Sequence, residues 1–189
     1  MVEGLPSIKF STGTCKGCIV GKKEERKYEK GKAIRVVHVM ELIHSDIIGH
    51  IPTPSYVKSR YVLTFIDDFS RYCWVYFLKQ KFEVYDIFKV FKGLVENLSG
   101  KKIKVLRDDN GKEYINKNLH HICEENGIQM QHSVPYTPQQ NGVVECKNKA
   151  LKDMATCMLE DKYLYPKIWY VDINCAEYVQ NIFTQKKLE

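Results

Sequence analysis

An α/β domain is what this sequence predicts: a mixed sheet of five strands, three antiparallel and then two parallel, flanked by helices and preceded by an extended basic arm. Three observations lead there. Strand-length apolar runs come three in succession, the last two joined by a five-residue polar turn. After them, segments of helical period alternate with short apolar runs. Nearly all the surplus positive charge sits in the first 35 residues. A short turn pairs its strands antiparallel, whereas strands joined through a helix lie parallel with right-handed crossovers.

The elements follow in order. Val36 to Ile48, with Val36, Val37, Val39, Met40, Leu42, Ile43, Ile47 and Ile48, reads as the first strand and ends at Gly49 and Pro52. Arg60 to Ile66 and Tyr72 to Leu78 are the next two, a hairpin around Asp67-Asp68-Phe69-Ser70-Arg71. Their near-continuous apolarity implies burial on both faces. Val84, Tyr85, Phe88, Phe91, Leu94, Val95 and Leu98 recur at helical spacing and stop at Gly100. Ile103, Val105 and Leu106 make a brief fourth strand. Ile115, Leu119, Ile122 and Cys123 define a helix closed by Gly127, and Ile128 to His132 is the fifth strand. A polar loop, Ser133 to Asn141, then leads to helices near Val143 to Asp161 and Lys167 to Phe183. One domain over residues 36–189 results.

Composition narrows the class. With 189 residues, 44% of them hydrophobic, the chain suits one principal domain with an appendage. The net charge is +6, and residues 16–35 hold eight basic and three acidic side chains, or +5, which leaves +1 for the rest. That arm is either a solvated linker or a segment that lies along a phosphate backbone. The longest wholly apolar run, Tyr72 to Leu78, has seven residues, whereas a membrane-spanning helix needs roughly 20. Met1-Val2-Glu3-Gly4 lacks the features of a signal peptide, so a soluble intracellular protein with no membrane partner is expected. Of seven cysteines only Cys15 and Cys18 are closely paired, which favours reduced thiols over disulfides.

Chemistry in such a fold gathers at strand ends and first helical turns. Asp67 and Asp68 lie in the hairpin turn, where Asp commonly hydrogen-bonds nearby backbone. Asp108 and Asp109 close the fourth strand ahead of Asn110-Gly111. Asp46 interrupts the apolar run Leu42-Ile43-His44-Ser45-Asp46-Ile47-Ile48. A buried carboxylate there demands a metal ion, an Arg or backbone donors. Glu145 is expected in the first turn of its helix, where the N-terminal partial charge favours an anion. Glu145, Asn148, Lys149 and Lys152 form a polar stripe opposite Val144, Leu151, Met154, Met158 and Leu159. The stripe is either a solvated face with a Glu145–Lys149 pair or a surface turned to a polyanion.

Read together, these segments resemble the integrase core of copia-type retrotransposon Pol polyproteins, in the retroviral integrase superfamily with its RNase H-like fold. The likeness rests on four ordered blocks: His44-Ser45-Asp46-Ile47-Ile48-Gly49, Tyr61 through Tyr72, Leu106 through Tyr114, and above all Pro135-Tyr136-Thr137-Pro138-Gln139-Gln140-Asn141-Gly142-Val143-Val144-Glu145. The 35 residues between Asp109 and Glu145 match the D,D(35)E spacing of such enzymes. The resemblance implies that Asp46, Asp109 and Glu145 are catalytic carboxylates that bind two Mg²⁺ or Mn²⁺ ions. It implies a polynucleotidyl transferase and endonuclease that trims element DNA 3′ ends and joins them to target DNA. It further implies that Gln139, Gln140 and Asn141 border the site near the DNA ends and that Asn148, Lys149 and Lys152 contact DNA. Its partners would be element-end and target DNA and further copies of the chain when active. It would work in the nucleus when acting on chromosomal DNA and otherwise be cytoplasmic.

The departures carry expectations too. Asp108 stands where the family usually has Ser, and strand alternation lets only one of Asp108 and Asp109 face the metals; the motif register selects Asp109. Cys146 and Lys149 replace the usual Arg residues. Cys15-Lys16-Gly17-Cys18 resembles the second half of the family's zinc module, but a tetrahedral zinc site needs four ligands. No His lies in residues 1–14, and His38 and His44 are wrongly spaced, so zinc is not expected. Residues 1–35 read as an arm with a remnant of that module, and the chain looks truncated at both ends relative to a polyprotein. The alternative function is a catalytically inactive or co-opted nucleic-acid-binding remnant.

Overall fold

The structure, a computed structural model, describes residues 36–109, 111–133, 138–161 and 165–185. The arm with Cys15 and Cys18 lies outside them. Its elements are β1 (Leu42–Ile48), β2 (Tyr61–Asp67), β3 (Cys73–Leu78), α1 (Val84–Ser99), β4 (Val105–Asp108), α2 (Lys117–Glu125), β5 (Gln129–His132), α3 (Pro138–Asp161) and α4 (Trp169–Gln185). The five strands form one sheet in the order β3-β2-β1-β4-β5. β1–β2 and β2–β3 are antiparallel, β1–β4 and β4–β5 parallel, as the connection lengths require. Among the described residues no helix is long and apolar enough to cross a membrane.

Several boundaries differ from the sequence reading by one or two residues (β4 begins at Val105 and not Ile103, and Ile115 precedes α2), and two differ by more. β1 begins at Leu42 and not at Val36, because Met40 adopts a left-handed backbone with φ 65°. The Glu41 carboxylate also accepts the Val37 and His38 N–H groups at 3.1 and 3.2 Å. A turn held by a side chain outcompetes the β-propensity of Val36, Val37 and Val39. At the other end of the chain, α3 begins at Pro138; proline fits the first helical turn, whose N–H groups have no intrahelical partner.

Alternation along β1 and β2 builds two cores. Ile43, Leu63 and Phe65 face α1 and α2, against Phe88, Phe91, Val95 and Leu119. Phe65 and Phe91 stack with centroids 4.1 Å apart. On the reverse face Ile48 and Val62 meet Ala155 of α3 and Trp169 and Ile173 of α4, and Ile66 meets Val144, Leu151 and Ala176. β3 forms the sheet edge, where Asn181 of α4 serves as a substitute strand. Its Oδ1 accepts from the Cys73 N–H at 2.9 Å and its Nδ2 donates to the Cys73 carbonyl at 2.7 Å.

The apolar arc of α1 is wider than the core it covers. Phe88, Phe91 and Val95 are buried, whereas Val90, Leu94 and Leu98 form a second row turned outward. Leu94 and Leu98, placed on the core stripe by spacing alone, are 45% and 77% exposed. Phe91→Ala should therefore destabilise the domain by about 3–5 kcal/mol, and Leu98→Ala by no more than about 0.5 kcal/mol. Urea-unfolding midpoints check this; equal losses at the two positions would contradict the packing.

Candidate active site

Asp46 lies in β1 with β2 on one side and β4 on the other. Ile43 pairs with Leu106 and His44 with Arg107, so Leu106 and Asp108 share the α1/α2 side of the sheet with Ile43 and Ser45. Arg107, and Asp109 just beyond the strand, fall on the side of His44 and Asp46. The adjacent carboxylates thus part company. Asp108 is fully buried, with Nδ1 of His132 at 2.9 and 3.1 Å from its two oxygens. Asp109 is exposed, and its Oδ1 accepts the Gly111 N–H at 3.1 Å.

What compensates Asp46 is an amide. Asn148 Nδ2 donates to Asp46 Oδ2 at 2.6 Å, and the Ile47 N–H donates to Oδ1 at 2.8 Å. Burial nonetheless raises the Asp46 pKa above its ordinary range. The Asn148 hydrogen bond opposes that rise, the negative charge of Asp109 adds to it, and Lys152 offsets it further. Asn148 itself is 4% exposed, and its Oδ1 is buried with no partner among the described residues.

Asn148 entered the sequence reading as a member of the polar stripe. The same arithmetic puts it on another row: Val144, Asn148, Leu151 and Ala155 fall at i, i+4, i+7 and i+11, and all four are buried. An amide on a core row is the signal that would have identified it as a partner for a buried carboxylate.

Glu145 lies one turn before Asn148 on α3, with an exposed side chain. Because α3 starts at Pro138, Glu145 is not in the first turn. The helix-dipole account of its position therefore fails, since that field fades within the first turn. Among the described residues no three His, Cys, Asp or Glu side chains stand close enough together to grip a metal ion. Asp46 and Asp109 are near enough to repel, and Glu145 shares α3 with Asn148, the residue that bonds Asp46, one turn away from it. Lys149 and Lys152 are exposed on the same helix. Gln139, Gln140 and Asn141 belong to its first turn, and their side chains lie outside the described ones.

The hairpin aspartates are structural. Asp67 is buried and accepts from the N–H of Met40 and from the N–H and hydroxyl of Ser70. Asp68 lies 2.9 Å from both His44 Nε2 and Arg71 Nη1. Burial would push its pKa up, but His44 and Arg71 prevail and hold it below the ordinary carboxylate range. His44 thus packs beneath the site as part of the frame, 1% exposed. Ser45, on the other face, hydrogen-bonds the buried Tyr114 hydroxyl at 2.6 Å.

The donors suit a hard divalent cation. Asp46 and Asp109 offer carboxylate oxygens that repel each other, and a cation bound between them would relieve that repulsion.

Residues 37–138 match the integrase core domain. The chain is 35% identical over 178 residues to the retrovirus-related Pol polyprotein from transposon TNT 1-94 of Nicotiana tabacum, covering 92% of this chain and 13% of that one. It is 33% identical over 176 residues to the retrovirus-related Pol polyprotein from transposon RE2 of Arabidopsis thaliana, covering 93% and 12%. These relatives are thus far longer than the chain. Two solved structures share the fold. The simian T-cell lymphotropic virus intasome in complex with PP2A regulatory subunit B56 gamma aligns with TM-score 0.60 and 19% identity over 87% of this chain and 56% of that one. The HTLV-2 integrase catalytic core domain in complex with magnesium aligns with TM-score 0.53 and 20% identity over 74% and 83%. A five-stranded RNase H-like sheet, the matched domain and the polyprotein relatives agree: the chain belongs to the integrase core domain family and matches copia-type transposon Pol polyproteins over most of its length.

Proposed function

We propose that this chain performs metal-dependent polynucleotidyl transfer in DNA integration, as both 3′-end processing and strand transfer. The observation that carries the reading is Asp46. It is a strand-centre carboxylate, largely desolvated, repelled by Asp109 and gripped by Asn148 from the helix that also bears Glu145. In this reading Asp46, Asp109 and Glu145 hold Mg²⁺ or Mn²⁺, and bound ions would supply activation of the attacking oxygen and stabilisation of the departing one. Asn148 fixes which Asp46 oxygen faces the site. Lys149 and Lys152 neutralise phosphate and position DNA without reading its sequence. Residues 1–35 are a separate arm along DNA, and work on chromosomal DNA by a homo-oligomer places the protein in the nucleus.

A second reading, a nucleic-acid-binding remnant without activity, is favoured by one observation, that no three-carboxylate cluster is formed among the described residues. Purified protein with labelled element-end DNA and Mn²⁺ separates the two. The enzyme gives strand-transfer products that Asp109→Asn and Glu145→Gln each abolish; the remnant binds DNA and yields none.

Asp46 supplies a pH test. Its folded-state pKa lies above the ordinary 3.8, so the native state binds its proton more tightly than the unfolded chain does. The contribution to stability is present below pH 3.8 and lost as pH rises through the raised native value. Without divalent ions, Asp46→Asn should melt above wild type at neutral pH, and the gap should close on acidification toward 3.8. Adding Mn²⁺ should raise the wild-type melting temperature and leave the variant nearly unmoved. Equal shifts in the two proteins would remove Asp46 from the site.

The arm is tested by salt. Deleting residues 16–35, with their net +5, should flatten the plot of log affinity for DNA against log salt concentration. An unchanged slope makes the arm a linker.

A further inference from the structure

At the end of the sheet where β1 and β4 finish, but on the α1/α2 side, the β3–α1 corner and the β4–α2 connection wall a cleft of about 950 Å³. Lys79, Lys81 and Phe82 line one side, and Lys112, Ile115 and Lys117 the other. Its charge is one-sided. Glu113 is the acidic residue of the lining, and its carboxylate is engaged by Lys81 Nζ at 2.8 Å. Lys79, Lys112 and Lys117 are exposed and meet no acidic group in the cleft.

The cleft is also apolar where a surface seldom is. Phe82 is 66% exposed and Ile115 64%, and they stand on opposite walls. Lys81 Nζ lies 6.0 Å from the centroid of the Tyr61 ring at the floor. Free cations interleaved with accessible aromatic and aliphatic faces are the composition of single-strand sites, where bases stack on side chains while lysines track phosphates. A paired duplex keeps its base faces stacked inside and would use the lysines alone. The volume is at the upper end of the roughly 300–1,000 Å³ of ligand pockets, ample for a nucleotide.

The cleft adjoins the candidate active site. Asp109 is close enough to help hold the Lys81 ammonium in its charged form, after the larger effect of Glu113. A strand in the cleft would reach the carboxylates past Asp109.

We infer that this cleft binds an unpaired DNA strand, the nucleotides that flank the phosphodiester presented to Asp46, Asp109 and Glu145. The inference rests on the integrase reading for which strand is presented, but the cleft's preference for unpaired DNA is measurable by itself. The probes are a blunt duplex, the same duplex with a short single-stranded thymidine tail, and oligothymidylate, followed by fluorescence anisotropy on the full chain in chelator. The tailed duplex should bind about tenfold tighter than the blunt one, the contribution of stacked bases. Phe82→Ala should remove most of that advantage and leave blunt-duplex affinity unchanged. Lys79→Gln, Lys112→Gln and Lys117→Gln combined should lower the salt slope on oligothymidylate by about 2.

Equal binding of tailed and blunt duplex overturns the inference. So does an equal loss on both substrates in the triple lysine variant, which would mark a duplex groove. Phe82 and the three lysines are exposed, and an unchanged melting temperature verifies the fold. The Mn²⁺-induced melting shift of every cleft variant should equal that of wild type. Absence of tail preference in wild type with that shift intact sinks the cleft alone, whereas absence of the shift in wild type sinks the integrase reading and leaves the binding result standing.

Discussion

The site depends on keeping one carboxylate ionisable inside a sheet. Asp46 sits on a strand flanked on both sides, with Ile48 of the same strand side in one apolar core. An unpaired charge there would cost several kcal/mol. The hydrogen bond from Asn148 makes the position tolerable without neutralising it, because an amide brings a donor and no charge. An Arg in its place would form an ion pair and leave the carboxylate satisfied. Asn148 instead leaves a carboxylate whose charge is still disfavoured by burial and by Asp109, a disfavour that a divalent cation would relieve.

The same hydrogen bond sets the geometry of everything on α3. Fixing Asn148 against β1 fixes the rotation of the helix, and with Val144 and Leu151 locked into the core beneath Ile66 the rotation cannot drift. Glu145, three residues earlier, and Lys152, four later, fall on the same arc of the helix as Asn148 by the helical repeat. On the other side of the site the strand period does the equivalent work. β4 runs parallel to β1 in a register that puts Asp108 under the sheet and Asp109 above it, and Nδ1 of His132 at the end of β5 hydrogen-bonds the buried Asp108 carboxylate.

Most of the frame was legible because it follows from local rules. The five-residue turn forced the β2–β3 hairpin, and helical spacing between strands forced the parallel pairs. The separation of Asp108 from Asp109 was legible from period 2 alone. What was hidden depended on long-range partners or on competition between local preferences. Nothing in Asn148 itself names Asp46, 102 residues away, as its acceptor. Leu94 and Leu98 looked like core because spacing shows that an arc is apolar and not how much of it a sheet covers. The first strand was overextended because Glu41 captures two N–H groups that β-propensity would have left to a ladder. The placement of Glu145 in a first turn failed for a related reason, since a proline in a polar stretch reads equally well as loop or as a helix start.

Asp109, Gly111 and Glu113, just after β4, are linked to one another and to the β3–α1 corner by side-chain contacts. Asp109 accepts from the Gly111 N–H, and the Glu113 carboxylate folds back over Gly111 and receives Lys81. A Cβ at Gly111 would stand 2.8 Å from the Glu113 carboxyl carbon, so any side chain there must push Glu113 away. Displacing Glu113 would also break its ion pair with Lys81, which bridges the two walls of the cleft at 2.8 Å. A side chain at 111 would thus be accommodated by a shift of the Glu113 carboxylate and not of the backbone.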